Sequence, residues 1–326
     1  MRLLVTGGLG YVGAVAARHL AGLGHEVLIL DNLATGRREA AGALPVVIAD
    51  CRDAATVSGV LGHRRIEAVL HFSGLSEVGA SCADPAGYHA ANLGGLLGLL
   101  EAMRRAGTSR LVFSSSAAVY GAPARQPIPE DAPHAPVNPY GRSKSMAEAV
   151  LRDAAGAGQV RAACLRYFNA AGAAFGGSLG EDHRPETHLV PRVLASAREG
   201  RPFVVYGGDY PTPDGTAVRD YVHVEDLARA HACALGALDR QPFLALNLGT
   251  GTGHSVLEVV RCAERITGKS IRVAIGARRD GDPPTLVAQI GACKDGLGWA
   301  AEESNLEHIL ESAHQWHLSR KVQVEL

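Results

Sequence analysis

The sequence predicts an α/β protein in which a doubly wound parallel sheet is joined to a smaller, interleaved α+β lobe. A glycine-rich turn follows the first apolar strand, and short apolar strands then alternate with helical segments. Repeats of this kind imply right-handed crossovers between parallel strands. After Asn169 the alternation loosens into loops rich in glycine and proline. We therefore expect residues 1–168 to form the first domain, with about 203–206 and 219–238 returning to it, and residues 169–326 to form mainly the second lobe.

The composition is that of an ordinary globular protein. The 326 residues are 47% hydrophobic and 20% charged, and the formal net charge of −1 gives no sign of nucleic-acid or membrane-surface binding. Apolar residues begin directly after Met1-Arg2, so we expect no cleavable signal, and we expect no membrane-spanning segment. The six cysteines are scattered without a Cys-x-x-Cys pair, which favours reduced thiols in a cytoplasm and gives no support to a metal site.

The octapeptide Thr6–Gly13 lies between the first predicted strand and the first predicted helix. Gly7 permits a tight turn, Gly10 lets the backbone approach a diphosphate, and Gly13 allows close packing of helix and strand. The next strand ends in Asp31, whose carboxylate can bind the ribose hydroxyls of adenosine and would repel a 2′-phosphate. This pattern predicts a dinucleotide site that prefers NAD to NADP.

Further buried strands are predicted at 46–49, 67–71 and 110–113, with a long helix from about Tyr88 to Arg105. Ligands of doubly wound sheets bind outside the carboxyl ends of the strands. The residues expected along that edge are Gly7, Asp31, Asp50, Gly74, Ser114, Ser115 and Ser116.

Tyr140 and Lys144 lie four residues apart, at the start of a helix that Pro139 can open. This spacing places both side chains on one helical face. Lowering the pKa of a tyrosine by ~3 units requires about 4 kcal/mol, and one ammonium nearby supplies about 3 kcal/mol. A second cation, such as an oxidised nicotinamide, could supply the rest. Ser116 follows a strand and can relay a proton between a substrate hydroxyl and this tyrosine.

These motifs resemble the extended short-chain dehydrogenase/reductase superfamily and, more narrowly, the UDP-glucose 4-epimerases. The resemblance implies a Rossmann domain for residues 1–168 and a substrate-binding lobe beyond it. The motifs that carry it are Thr6–Gly13, Ser114–Gly121, Pro139–Lys144, Leu165–Asn169, Glu186–Pro191, Tyr206–Thr216, Val218–Val224, Asn247–Gly251 and Arg278–Pro284.

The resemblance implies roles for individual residues. The implied catalytic residues are Ser116, Tyr140 and Lys144. The implied NAD-binding residues are Gly7, Gly10, Tyr11, Val12, Gly13, Asp31, Asn32, Asp50, Cys51, Phe72, Ser73, Gly74, Asn92, Ser114, Tyr140, Lys144, Tyr167 and Phe168. The implied substrate-binding residues are Ser116, Asn169, His188, Leu189, Tyr206, Arg219, Arg279, Asp282 and Leu286. Two arginines suit a diphosphate, and the Tyr206 ring offers a face to uracil.

The implied reaction is NAD-dependent inversion of C4 in a UDP-sugar, through a transient 4-keto sugar. Leu286 stands where a bulky tyrosine in the family goes with glucose and galactose only. This leucine therefore predicts that N-acetylated UDP-sugars are accepted as well, unless it points into the core of the lobe. Family members are often dimers through two long helices, and the apolar surface of 93–100 predicts a homodimer here.

The sequence departs from the family at three positions. Ser76 replaces a lysine that reaches the cofactor, Ala118 replaces a threonine, and Gln289 replaces an aspartate. A sugar-nucleotide 4,6-dehydratase stays open as an alternative, although its acid–base pair is replaced by Ala117-Ala118. A non-catalytic NAD-binding regulator is the second alternative.

Overall fold

The structure, a computed structural model, describes residues 1–279 and 281–324. Its strands are β1 (Arg2–Thr6), β2 (Glu26–Asp31), β3 (Val46–Ile48), β4 (Ala68–His71), β5 (Arg110–Ser116), β6 (Arg161–Tyr167), β7 (Asn169–Ala171), β8 (Ala173–Ala174), β9 (Leu179–Gly180), β10 (Phe203–Tyr206), β11 (Val218–His223), β12 (Phe243–Leu248), β13 (Gly253–Ser255), β14 (Val273–Gly276) and β15 (Thr285–Leu286). Its helices are α1 (Tyr11–Gly22), α2 (Ala54–His63), α3 (Val78–Ala83), α4 (Pro85–Ala106), α5 (Pro139–Gly156), α6 (Leu189–Glu199), α7 (Val224–Ala237), α8 (Val256–Thr267), α9 (Ala292–Leu297) and α10 (Leu306–Val324).

The central sheet has seven parallel strands in the order β12-β6-β5-β4-β1-β2-β3. Side chains of β1 alternate between two cores: Leu3 and Val5 face α1, α7 and α9, and Leu4 faces α2, α4 and α5. Because both faces are covered, the strands are apolar throughout. This confirms the predicted doubly wound sheet.

The second lobe has its own core. Helices α6, α8 and α10 enclose it together with β10 and β11. Strand β11 pairs with β7, β13 and β15, which places chain segments from three parts of the sequence in one small sheet. The two lobes are therefore interleaved along the chain.

Two details of the predicted boundaries were wrong. Residues 203–206 do not return to the central sheet, because β10 pairs with β14 in the second lobe. The segment that does return, besides α7, is β12, which forms the sheet edge beside β6 and is covered by α9. The apolar pair Val204-Val205 reads like a buried strand in either position, so the sequence alone did not distinguish them.

Among the described residues, no helix combines the length and apolar character needed to cross a membrane.

Candidate active site

A cleft of about 1260 Å³ runs along the carboxyl edge of the central sheet and continues between the two lobes. All but one of the residues predicted for cofactor, catalysis and substrate line it, from Gly7 in the first turn to Leu286 in the second lobe. The exception is Asn92. The sequence-based prediction therefore converges on one continuous site.

The glycine-rich turn shows why each glycine stands where it does. Gly7 has a φ of +67°, and a Cβ there would lie 2.5 Å from the backbone nitrogen of Ser73. A Cβ on Gly13 would lie 2.3 Å from the Gly7 carbonyl oxygen. At Gly10 a Cβ would meet only the Gly7 carbonyl oxygen, at 3.4 Å, so the protein itself does not require glycine there. An open face at Gly10 fits the close approach of a diphosphate.

Helix α1 begins directly after Gly10, and no side chain caps its first turn. The amide hydrogens at a helix N-terminus lack partners within the helix and attract anions. The first turn of α1 lines the cleft at Tyr11 and Val12. These features fit the diphosphate of NAD.

Asp31 lies at the end of β2 and is only 6% exposed. Its carboxylate accepts hydrogen bonds from the backbone of Leu9 (3.1 Å) and Leu33 (2.8 Å), which fix its position at the cleft. Each carboxylate oxygen keeps a further lone pair for a ribose hydroxyl. Its negative charge fits NAD and opposes the extra phosphate of NADP.

Asp50 and Cys51 line the same part of the cleft. Arg52 donates two hydrogen bonds to Asp50, at 2.9 and 2.8 Å, and these hold the pKa of that carboxyl well below its usual range. Asn32 donates a third, at 2.9 Å. Burial raises the pKa of the Cys51 thiol to about 11, so Cys51 is a neutral wall of the cleft and no nucleophile.

Asn92 is the predicted cofactor residue that lies behind the cleft instead of in it. Its side-chain oxygen accepts from the backbone of Leu75 (2.7 Å), and its nitrogen donates to the Leu75 carbonyl (3.0 Å) and to the Ser143 hydroxyl (2.9 Å). The side chain therefore ties the loop after β4 to α5. These hydrogen bonds position the neighbouring Gly74, which does line the cleft, and direct cofactor binding by Asn92 stays a prediction.

The catalytic candidates meet where β5 and α5 approach each other. Pro139 is the first residue of α5, and Asn138 caps the helix by accepting from the Gly141 amide at 2.8 Å. This start places Tyr140 and Lys144 on the same face, as predicted. Ser116, the last residue of β5, lies within hydrogen-bonding reach of the Tyr140 hydroxyl.

Lys144 is held rigidly, with 5% of its surface exposed. Its ammonium donates to the Ser114 carbonyl at 2.8 Å and lies 5.9 Å from the centre of the Tyr140 ring. Two further residues complete this wall: the Tyr167 and Ser114 hydroxyls are hydrogen-bonded to each other, and Phe168 lines the cleft beside them. The ammonium also lies 4.9 Å from the centre of the Phe113 ring, and the Lys144 side chain lines the cleft.

The pKa shifts differ from the sequence argument, which expected the tyrosine to be acidified. Burial raises the pKa of Tyr140 above its ordinary value, and the hydrogen bond with Ser116 acts in the opposite direction. Burial lowers the pKa of Lys144 to about 8, against the attraction of Glu148. Desolvation is the largest cause of the pKa shift in both groups, and the estimate made from the sequence did not include it.

The end of the cleft in the second lobe carries basic side chains, and one of them, Arg219, is paired with a carboxylate. The guanidinium of Arg219 is bonded to the Asp282 carboxylate, at 2.5 Å, and to the Pro283 carbonyl, at 2.8 Å. Arg279 stacks 4.3 Å above the centre of the Tyr206 ring. One face of the Tyr206 ring is therefore covered by a cation. From the sequence, we expected this ring to offer a face to uracil, and we did not expect a cation beside it.

Arg192 was missed by sequence reasoning. It lies one turn after His188 on α6, lines the cleft, and approaches the Tyr206 ring to 5.8 Å. The sequence did contain one sign of its position: Arg192 is four residues after His188, and residues four apart in a helix share a face. Together with Arg219 and Arg279 it gives this end three guanidinium groups.

His188 and Leu189 open α6 at the edge of the cleft. Although burial opposes protonation of His188, the hydrogen bonds and charges of Glu181 and Glu186 raise its pKa to about 10. The 40% exposed imidazole is therefore a cation at neutral pH and adds to the positive field. Its partner Glu181 lines the cleft too and was not predicted.

The two remaining predicted substrate residues also line the cleft. Asn169 is oriented by a hydrogen bond from its amide nitrogen to the Asp220 carbonyl, at 3.1 Å. Leu286 is half-buried and packs against a small core cluster that includes Val119, Tyr120 and Phe168. Leu286 therefore both lines the cleft and packs on the core, which combines the two interpretations considered from the sequence.

Comparisons with known proteins agree with this geometry. A family model described as the NAD dependent epimerase/dehydratase family matches residues 3–249. The chain is 44% identical over 322 residues to the UDP-glucose 4-epimerase of Lactobacillus helveticus, with 98% of each chain covered.

Two solved structures are similar over nearly the whole chain. One is a UDP-glucose 4-epimerase from Stenotrophomonas maltophila with bound NAD and formylated UDP-arabinopyranose, at 39% identity, a TM-score of 0.96 and 99% coverage of both chains. The other is the UDP-Glc/GlcNAc 4-epimerase of Campylobacter jejuni, at 34% identity and a TM-score of 0.84, with 98% of this chain and 99% of that chain covered. The chain therefore belongs to the NAD dependent epimerase/dehydratase family, on the branch of the UDP-glucose 4-epimerases.

Proposed function

We propose that this protein interconverts UDP-galactose and UDP-glucose by NAD-dependent inversion at C4. The observation that carries the proposal is that Ser116, Tyr140 and Lys144 line the same cleft as the glycine-rich turn and the arginine-rich end. A sugar anchored by its diphosphate at the basic end would present its ring to the tyrosine.

The chemistry that bound NAD supplies is removal of a hydride from C4 and its return to the opposite face. Tyr140 takes the proton of the C4 hydroxyl, directly or through Ser116, and later gives it back. Lys144 stabilises the phenolate across the short gap between the two side chains. Each proton and each hydride that leaves the sugar returns to it, so the reaction has no net redox change.

The basic end anchors the substrate without fixing the face of its sugar. Arg219, Arg279 and Arg192 suit the two phosphates, and Asn169 can donate to a phosphate or sugar oxygen once it reorients. Turning of the keto sugar about the diphosphate then brings its other face to Tyr140. For Arg219, the diphosphate competes with Asp282, so binding includes rearrangement of this ion pair.

We also propose that UDP-N-acetylglucosamine and UDP-N-acetylgalactosamine are substrates. Leu286 presents a branched apolar side chain to the cleft and has no hydroxyl. An apolar wall of this kind can contact an acetyl methyl group, which contributes only about 0.8 kcal/mol. The expected effect is acceptance of both pairs of sugars and no strong preference.

The proposed assembly is a homodimer formed by α4 and α5 of each copy. Leu97 on α4 and Met146 on α5 are 48% and 38% exposed. These two helices pack against each other on one face of the sheet, so four of them from two copies could bury both side chains.

The proposed compartment is the cytoplasm, where UDP-galactose would connect the enzyme to galactose metabolism. All six cysteines are free thiols, four of them buried. Free thiols are typical of a reducing compartment.

The test is incubation of purified protein with UDP-galactose and NMR identification of the product. UDP-glucose is the expected product. A 4-keto-6-deoxy sugar would instead indicate the dehydratase, which Ala117 and Ala118 disfavour because they place no acid or base beside Ser116. Unchanged UDP-galactose with NAD bound would indicate a non-catalytic regulator.

A further inference from the structure

Four metal-ligating side chains converge beside the substrate end of the cleft. Glu181, His183, Glu186 and His188 lie in the segment between β9 and α6, and each offers one ligand atom within 4.8 Å of the others. Among the residues that the structure describes, this is the one cluster of three or more histidine, cysteine, aspartate or glutamate side chains with such spacing.

The separations between these atoms match a tetrahedral metal site. Nδ1 of His188 lies 2.8 Å from Glu181 Oε1 and 3.1 Å from Glu186 Oε1. Nδ1 of His183 lies 3.0 Å from Glu181 Oε1 and 3.9 Å from Glu186 Oε2. With bonds of about 2.1 Å, the ligands of a tetrahedral zinc ion stand about 3.4 Å apart. The four separations above, of 3.0, 3.9, 2.8 and 3.1 Å, scatter around that value.

Hydrogen bonds within the cluster leave one of its buried polar atoms without a partner among the described residues. Nδ1 of His183 is occluded from solvent and has no hydrogen-bond partner among the residues that the structure describes, although it lies 3.0 Å from Glu181 Oε1. Glu181 is a buried carboxylate, with 6% of its side chain exposed. A buried acceptor facing an unpartnered imidazole nitrogen is an arrangement that a central cation would complete.

Charge and ligand type select the metal. Two carboxylates and two neutral imidazoles carry a net charge of −2, which one divalent ion neutralises. Two nitrogen and two oxygen donors suit Zn²⁺, whereas Ca²⁺ and Mg²⁺ prefer oxygen ligands only. The neighbouring Asp182 is already paired with Arg37 and Arg320 and takes no part.

We propose that Glu181, His183, Glu186 and His188 form a zinc-binding site that fixes the segment between β9 and α6 against the substrate cleft. Binding releases to solvent the proton that His188 otherwise shares with the carboxylates. The site does not depend on the proposed C4 chemistry. It does affect the cleft, because three of its ligands line it and Leu189 follows directly.

The test is calorimetric titration of tag-free, chelator-washed protein with ZnCl₂. We expect one zinc per chain, and at least tenfold weaker binding in His183→Gln, with an unchanged melting temperature of the metal-free protein showing that the variant folds. The matched control is His308→Gln, which removes a histidine that also faces a glutamate, Glu303 at 3.3 Å, outside the cluster. This control should bind zinc like the wild type.

Substitution with Co²⁺ identifies the ligands independently. A tetrahedral nitrogen and oxygen site gives visible d–d bands without a thiolate charge-transfer band, and His183→Gln should weaken those bands. A thiolate band would overturn the proposal, because it would place the metal on a cysteine such as the exposed Cys82. Equal zinc binding by wild type and His183→Gln would overturn it as well, and so would the lack of one-to-one binding.

Discussion

The proposed mechanism requires Lys144 as a cation, and its burial disfavours the charged form. It is 5% exposed, and burial lowers its pKa to about 8 from the 10.5 of a free lysine. Between these two pH values the unfolded chain binds more protons than the folded one, so the contribution of this group to stability rises with pH. Below pH 8 the buried ammonium destabilises the fold, which is the reverse of the usual lysine that gains a partner.

This conflict predicts a pH-dependent effect of Lys144→Met. Relative to wild type, the free energy of unfolding of the variant should be higher at pH 7 than at pH 10 by about 3 kcal/mol, since each pKa unit corresponds to about 1.4 kcal/mol. Urea unfolding at both pH values measures this difference. The control is Lys269→Met, at an exposed lysine, where the difference should be independent of pH. A pH-independent difference for Lys144→Met would contradict the argument.

Leu286 predicts which sugars enter the cleft. In Leu286→Tyr, the larger ring should fill space beside the sugar and lower kcat/KM for the N-acetylated pair at least tenfold relative to the glucose pair. Measuring both pairs in wild type and variant tests this. The control is Ile290→Tyr, an exposed position outside the cleft, which should leave the ratio unchanged. If wild type rejects the acetylated sugars, Leu286 is not the determinant.

Nearly every residue predicted for the site lines the cleft, because turn chemistry and strand ends are local features. Gly7 needs its positive φ and Asp31 ends a strand, and both requirements are visible in a few residues of sequence. The sequence did not reveal the burial of Asn92 behind the loop after β4, because that burial depends on Leu75 and Ser143, which pack from elsewhere. A side chain's orientation towards or away from a cleft is a tertiary property.

Helix α5 carries the candidate catalytic residues Tyr140 and Lys144, and its residue Glu148 anchors the helix to the central sheet. Glu148 lies one turn after Lys144 and is 1% exposed, paired with Arg166 of β6 at 2.6 Å. It also accepts a hydrogen bond from Ser115 of β5, and Arg166 donates to the Tyr120 hydroxyl at 2.7 Å. The network ties α5 to the two strands that end beside the cleft. The sequence did not predict the ion pair of Arg166 with Glu148, because no local pattern reveals a partner 18 residues away.

Breaking this anchor should be costly. Glu148→Gln leaves Arg166 buried without its counter-charge, so we expect the free energy of unfolding to fall by about 3–5 kcal/mol. Urea unfolding at neutral pH measures the change. Glu101→Gln removes an exposed partner of Arg104 and Arg105 and should leave stability nearly unchanged. A similar small change in Glu148→Gln would show that the network does not anchor α5.

At the scale of the whole molecule, the cleft exists because the chain crosses between lobes several times. The first domain supplies the glycine-rich turn after β1 and Tyr140 on α5, and the second lobe supplies the arginines. The alternation of strands and helices predicted the sheet up to β5 and did not include β6. It could not predict that β12 closes the edge beside β6, because such pairing between distant segments has no periodic signal.

The proposed homodimer gives a prediction at this scale. Leu97→Glu places a charge at the proposed four-helix contact and should yield a monomer by light scattering at micromolar concentration, where wild type is a dimer. Leu318→Glu changes a leucine of equal exposure, 48%, on α10 and should leave the dimer intact. A monomeric wild type, or dissociation by both substitutions, would contradict the proposed interface.

The proposed mechanism has Tyr140 move the C4 proton, and comparing Tyr140→Phe with Tyr210→Phe tests this role. The rate of conversion of UDP-galactose to UDP-glucose is measured for Tyr140→Phe and for Tyr210→Phe, with NAD content and melting temperature recorded for both. Tyr210 is a matched control because it is buried, lies outside the cleft and has a hydroxyl that makes no hydrogen bond within residues 1–279 and 281–324. We expect Tyr140→Phe to bind NAD and fold normally but to turn over slower by about a hundredfold or more, as for loss of a general base. Near-normal turnover in Tyr140→Phe would contradict it.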